Sequence, residues 1–280
     1  MSTARLQPVR SAAGPAGRLP ERIVCLTPET AETLYLLGEE DRIAGISGYT
    51  VRPARARKEK PRIGAFTTAR VDRILALEPD LVLGFSDLQA DLAGELIRAG
   101  LPVLVFNQRS IGGILNMMVT LGHLVGAGER ANALAAELAA GVERVRRAAR
   151  HLPRRPRVYF EEWPDPMIAG VRWVSQLIEA AGGEDCFAHL AVHADARRRI
   201  IADPGEVAAR MPDIIIGSWC GRRFDPGEVA ARPGWHRIPA VRDGHVYEIK
   251  SAEILQPGPG ALREGLDRLH RIVLRWEGLH

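Results

Sequence analysis

Two stretches constrain the fold more than any other feature: RILALEPDLVLGFSD at 73–87 and EVAARMPDIIIGSWC at 206–220 match in kind at a constant spacing of 133 residues. Each runs an amphipathic stretch into a proline (Pro79, Pro212), an aspartate (Asp80, Asp213), three branched or leucine residues and a glycine (Gly84, Gly217). The pattern reads as helix, turn and buried strand. The chain should therefore carry two similar α/β folds, with Phe85, Ser86 and Asp87 placed in one where Ser218, Trp219 and Cys220 stand in the other. In open α/β sheets ligands bind beyond the carboxyl ends of the strands, and both segments are such ends.

The surrounding sequence extends the pattern. Short apolar runs at 22–26, 42–47, 80–85 and 102–106 read as strands, and 29–38, 70–78 and 88–100 between them read as helices. Repeated strand-helix-strand units imply a parallel sheet covered on both faces. Residues 129–150 are alanine-rich, with acids early and arginines late, which suits a helix and its dipole; at 1.5 Å per residue it would be a rod of roughly 33 Å. The prolines of HLPRRPR (151–157) end it, and a second series follows: strands at 158–163 and within 206–217 and 241–249, helices at 172–183 and 261–276. The expected fold is α/β: two Rossmann-like lobes with parallel-rich sheets joined by a single long helix. The segments are a leader over 1–20, a first lobe over 21–125, the connecting helix over 126–152 and a second lobe over 153–280.

Composition excludes several functions. Lys and Arg exceed Asp and Glu by only 38 to 34, and just Lys58, Lys60 and Lys250 are lysines, so the basic balance reflects arginine usage rather than a nucleic-acid footprint. Cys25, Cys186 and Cys220 stand in separate contexts, which argues against a disulfide framework and for a reducing compartment. Residues 1–20 hold no apolar run of the roughly 7–15 residues a secretory signal needs, and nothing approaches the roughly 18 apolar residues of a membrane span. As written, the chain reads as cytoplasmic. GAGER (126–130) follows a helix rather than a strand, so it lacks phosphate-loop geometry, and there is no G-x-S-x-G elbow.

A further set of segments carries a family resemblance: RIVCLTPETAETLYLLGEEDRIAGIS (22–47), RVDRILALEPDLVLG (70–84), GLPVLVF (100–106), the long helix, LIEAAGGED (177–185), PDIII (212–216), IPAVRDGHVYEI (238–249) and QPGPGALREGLDRL (256–269). In this order they resemble the ABC-type substrate-binding proteins of the helical-backbone class, which capture corrinoids, haem and siderophores, and most of all their vitamin B12-binding branch. The resemblance covers nearly the whole chain after residue 20. It implies a shallow cleft between two lobes with little hinge motion, no catalysis, no intrinsic cofactor, a small-molecule ligand of the cobalamin type, a monomer, and an ABC permease as partner. Members of the family are exported, whereas this chain shows no signal. In the family each lobe offers an acid to permease arginines. Asp72 stands at the matching position of the first lobe; aligning the second by Pro212 puts Gly205 there, with Glu206 one residue later and Asp203 nearby.

A corrinoid or haem is a large, flat, mostly apolar body edged with amides or carboxylates, so its site needs aromatic walls and a few fixed polar groups. Tyr49, Phe66, Phe85, Trp163 and Trp219, five of only 15 aromatics, fall at predicted strand ends or loops. Phe85 and Trp219 are expected to stack on the ligand, with Ser86 and Cys220 beside them and the other three rings completing the walls. Thr27 and Pro28 of TPET open a helix whose N–H groups suit an anionic ligand edge, although helix capping explains the threonines too. Glu161 and Glu162 are neighbours on a strand and face opposite ways; Glu162 is taken as the one that reaches the ligand. Arg222 would meet acidic ligand edges. Cys220 has no second thiol or base nearby and reads as a small half-buried residue.

Three competing readings stay open. The run RPARARKEKPR (52–62), with six basic residues, is either a solvated loop or a basic rim for phosphate or carboxylate groups. Cys186, His189 and His193 have a C-x2-H-x3-H spacing that can seat zinc on one helical turn, which would suit an intracellular metal-handling protein or enzyme reusing the fold. Haem or a ferric siderophore is the alternative ligand.

Overall fold

The first sheet is built from β1 (Ile23–Cys25), β2 (Ile43–Ile46), β3 (Leu81–Phe85) and β4 (Val103–Phe106) in the spatial order β2-β1-β3-β4, every pair parallel. The computed structural model describes residues 18–66 and 68–278; residues 1–17 of the expected leader lie outside the described residues. β1 and β3 are buried throughout because helices cover both faces, which is why they read as unbroken apolar runs. Val24, Ile63, Ile74, Val82, Leu92, Leu96 and Leu101 form the core on one side.

The second sheet runs β6-β5-β8-β9, from β5 (Arg157–Pro164), β6 (Met167–Ala169), β8 (Ile214–Gly217) and β9 (Val246–Glu248); β7 (Glu184–Asp185) pairs with the start of β5. Only the β5–β6 hairpin is antiparallel. Its core is aromatic, with Tyr159 meeting Phe187 and Trp235 edge-on at ring-centroid distances of 5.5 and 6.0 Å. The chain forms two units: residues up to Gln108 with Met117–Asn132, and Arg109–Asn116 with the residues from Ala133 on.

The internal echo is structural down to single torsions. β3 and β8 are both interior strands, each preceded by a short helix, Val71–Leu75 and Pro204–Ala209. Between helix and strand Glu78 and Met211 take the left-handed conformation, at φ 45° and 47°. A residue so turned ends a helix, and the proline after it prevents the helix resuming. The next aspartate then ties down the start of the neighbouring strand in the sheet, β1 beside β3 and β5 beside β8. Asp80 accepts from the N–H groups of Glu21 and Arg22 at 2.7 and 2.9 Å, and Asp213 accepts from Arg157 N–H at 2.8 Å.

Gly217 is required by packing, since a Cβ there would lie 1.9 Å from the ring of Phe224. The helix Gly128–Ala149 falls within the expected 126–152 segment, and the helices Arg172–Ala181 and Leu266–Glu277 match the sequence reading. Two expectations are shortened. The helix over 70–78 keeps only Val71–Leu75, and the strand within 241–249 keeps only Val246–Glu248, because Pro239–Arg242 forms a helical turn instead.

Candidate functional site

In the first lobe the carboxyl end of β1 leads straight into the helix Pro28–Leu36, with Pro28 at its first turn and Thr27 at the N-cap position. Thr27 does not cap: its side chain accepts no helix N–H, and the Thr30 hydroxyl instead donates to Thr27 O at 3.1 Å. Thr27 Oγ1, Glu29 Oε1 and Thr50 Oγ1 are buried without hydrogen-bond partners among the described residues. Burial pushes the Glu29 carboxyl up to about 7 and the Cys25 thiol up to about 12, so Cys25 stays a neutral thiol at physiological pH.

Beyond β2 the chain turns at Ser47–Thr50 and returns alongside the strand. Ile46 N–H donates to Pro61 O (2.9 Å), Ile63 N–H to Ile46 O (3.0 Å) and Gly48 N–H to Gly64 O (2.7 Å). These bonds hold open a cavity of about 570 Å³ lined by Gly48, Tyr49, Arg62, Gly64, Ala65 and Arg73. Tyr49 is 52% exposed. Phe66, half-buried, is held from behind: Gln89 Nε2 donates to Phe66 O at 2.7 Å, while Gln89 Oε1 accepts from Phe85 N–H at 2.9 Å. One buried amide thus fixes the Phe66 and Phe85 segments to each other.

Phe85 and Trp219 do not present open rings. Phe85 is 7% exposed at the end of β3, and Ser86 beside it is buried, its Oγ accepting from Leu88 N–H at 3.3 Å. Trp219 is 4% exposed and belongs to the core of the second lobe. Phe224 meets it edge-on at 4.9 Å, and the Arg222 guanidinium lies over its ring at 4.9 Å. The expected stacking pair is corrected accordingly: an indole whose N–H finds a buried carboxylate gains more inside than out.

That carboxylate is Glu161, the centre of a buried network. It accepts from Trp219 Nε1 (3.0 Å), the Tyr159 hydroxyl (2.8 Å) and both terminal nitrogens of Arg232 (2.5 and 2.9 Å). Burial, then the neighbouring Glu161 charge, pushes the Tyr159 hydroxyl well above its ordinary value, so it stays a donor. Glu162 faces the other way, as strand alternation requires, but it is tied to Arg199 at 2.6 Å. Trp163 is half-buried and donates to Asp165 O at 2.8 Å. Arg222 is paired with Glu228 at 2.7 Å, which occupies the charge expected to meet a ligand. Ser218 is buried, and Cys220 is exposed.

Sequence reasoning missed Glu161's role and Arg232, which lies 71 residues further on. The available signal was that a glutamate on the inward face of a buried strand must be paired. It also missed Arg62 and Arg73 as co-lining one cavity.

The remaining candidates separate. Asp72 is exposed and paired with Arg70 at 2.5 Å, whose guanidinium holds its carboxyl below the usual range. Glu206 is an exposed acid in the first turn of Pro204–Ala209, where Asp203 caps by accepting from Gly205 N–H at 2.8 Å. The zinc reading of Cys186, His189 and His193 is not supported: Cys186 is buried, His189 stacks on Phe187, and among the described residues no three His, Cys, Asp or Glu side chains converge for a metal ion. No described helix is long and apolar enough to cross a membrane.

Known proteins agree with this architecture. The periplasmic binding protein family model matches residues 23–253. A cobalamin-binding protein of Halobacterium salinarum is 29% identical over 250 residues, covering 86% of this chain and 66% of its own length, so the match spans just under two thirds of that relative. Among solved structures, the periplasmic heme-binding protein RhuT of Roseiflexus sp. RS-1 superposes with a TM-score of 0.76 at 23% identity, covering 90% of this chain and 99% of that one. The periplasmic vitamin B12-binding protein BtuF of Vibrio cholerae gives a TM-score of 0.73 at 20% identity, covering 92% and 98%. With two parallel-rich α/β lobes and a family match over residues 23–253, the chain belongs to the periplasmic binding protein family.

Proposed function

We propose that the chain binds a corrinoid of the cobalamin type without chemical change, using the strand-end surface of its first lobe. The observation that carries this reading is the exposed Tyr49 ring beside a cavity of about 570 Å³, with Phe66 braced next to it by Gln89. A flat macrocycle gains from such rings by stacking, at about 0.5–1.5 kcal/mol per aromatic pair beyond area burial. Similarity to a cobalamin-binding relative supports it.

Haem is the second reading. What favours it is the pair of arginines in the same cavity, Arg62 and Arg73, whose guanidinium groups match carboxylate edges. Delivery to an ABC permease belongs to the same proposal, with Asp72 and Glu206 as the exposed acids that would dock. Tyr49→Ala should weaken corrinoid binding roughly tenfold, in line with the loss of one stacked ring and its buried area. Leu88→Ala, at an exposed apolar residue outside the cavity, should leave it unchanged. Equal affinities for wild type and Tyr49→Ala in a fluorescence or calorimetric titration would remove the cavity from the binding site.

A further inference from the structure

The basic run at 52–62 is divided by the fold: Arg52 and Arg55 are paired with acids, Arg57 is exposed, and Arg62 lines a cavity. Arg52 pairs with Glu32 at 3.0 Å, and Arg55 pairs with Glu40 at 2.6 Å and Glu59 at 3.3 Å. These hold the 52–59 segment against the helix Pro28–Leu36 and the turn after it, through structural rather than ligand contacts. Arg62, the last basic residue of the run, is carried away from them by the extended return of 61–64 along β2 and enters the wall of the cavity beside Tyr49.

A second arginine reaches the same cavity from another element. Arg73 lies in the helix Val71–Leu75, and its neighbour Arg70 is already engaged by Asp72. Neither the Arg62 nor the Arg73 guanidinium has an ion-pair or hydrogen-bond partner among the described residues. The rest of the lining is Gly48, Gly64 and Ala65, which leave room, and Tyr49, which supplies a ring; among the described residues no acid lines the cavity.

Arg62 and Arg73, both exposed, line one cavity, and each guanidinium carries five donors in a planar fork. A phosphate or carboxylate entering the cavity can take up these donors in bidentate fashion, which is the recognition that arginine performs better than lysine. We infer that this first-lobe cavity is a subsite for an anionic group of the ligand, a phosphodiester or a carboxylate, clamped by Arg62 and Arg73 with Tyr49 packing against the body that carries it. The inference rests on the tetrapyrrole reading above and sharpens it: the preferred ligand is the member of a related pair that bears the anion.

The test uses two ligand pairs that differ in that anion. Cobalamin has a phosphodiester that cobinamide lacks, and haem has carboxylates that its dimethyl ester lacks. The full chain, Arg62→Gln, Arg73→Gln and the double variant are titrated with all four by absorbance, after circular dichroism melts establish that the variants are folded. Charge-assisted hydrogen bonds are strong enough that each substitution should weaken the anion-bearing member roughly tenfold. The double variant should lose more, and affinity for the anion-free partner should change less than about twofold. Loss confined to cobalamin identifies the phosphodiester as the clamped group, and loss confined to haem identifies the carboxylate. Equal loss for both members of a pair, or no loss for either, overturns the clamp while leaving tetrapyrrole binding intact. Should wild type bind none of the four, the tetrapyrrole reading fails by itself. The cavity is then titrated with inorganic phosphate by NMR, where shifts abolished in the double variant support the clamp and an unresponsive wild type overturns it.

Discussion

Arg232→Ala is expected to destabilise the second lobe by about 3–5 kcal/mol, the range for a buried ion pair that loses one partner. Glu161 is almost fully buried, and Arg232 supplies two of the four hydrogen bonds it accepts. Without the guanidinium the carboxylate keeps only the Tyr159 hydroxyl and Trp219 Nε1, both neutral donors, in surroundings that cannot hydrate it. The substitution also removes the contact of Arg232 over the Trp235 ring at 4.6 Å, which lies in the same core. The penalty belongs to the stranded charge more than to the lost attraction, so the double variant Arg232→Met with Glu161→Gln, which removes the charge and keeps an acceptor for Tyr159 and Trp219, should recover part of it. Urea denaturation followed by tryptophan fluorescence reports both. A single-variant loss below about 1 kcal/mol, the scale of an exposed pair, would mean that water reaches Glu161.

Glu29→Gln is expected to make the first lobe more stable at alkaline pH and to flatten its pH profile. Burial raises the Glu29 carboxyl from 4.5 to about 7 in the folded chain, so the folded state holds a proton there that the unfolded chain releases. Stability therefore falls as pH rises from about 4.5 to about 7, and the penalty is fully present above that. The raised value corresponds to a penalty on the order of 3 kcal/mol at 1.36 kcal/mol per pH unit. Glutamine keeps the shape and cannot ionise. Thermal melts of wild type and variant should coincide near pH 4 and diverge by pH 8, with the variant higher. Parallel profiles across that range would mean that Glu29 finds solvent or a counter-charge in solution.

The repeated helix-Pro-Asp-strand unit was readable because its determinants are local. A left-handed residue and a proline stand side by side at 78–79 and 211–212 and end each helix before β3 and β8, whereas the aspartates after them find their partners, Glu21 with Arg22 and Arg157, 56–59 residues away. The helix Ile111–Leu124 went unread in the sequence, since IGGILNMMVTLGHL is apolar nearly all round and leaves no polar face to set a period. In the site, strand alternation correctly separated Glu161 from Glu162, yet nothing near position 161 names a partner at position 232.

Trp219 shows the same limit. An indole beside Cys220 and Arg222 at a strand end resembles a ligand wall by composition, and it was a carboxylate 58 residues earlier that drew it into the core. The cavity at Tyr49 was half legible. Tyr49 and the basic run were visible in the sequence, but the run's division into paired Arg52 and Arg55 and cavity-lining Arg62 depends on Glu32, Glu40 and Glu59, which the fold alone brings alongside.

The central claim is that this chain is a non-catalytic binder of a tetrapyrrole, and the most direct measurement is an absorbance titration of the purified chain with cobalamin, cobinamide and haem, with zinc as a parallel ligand. The account predicts saturable one-to-one binding of at least one tetrapyrrole, its recovery unchanged on release, and no stoichiometric zinc. Stoichiometric zinc with no tetrapyrrole bound would contradict it.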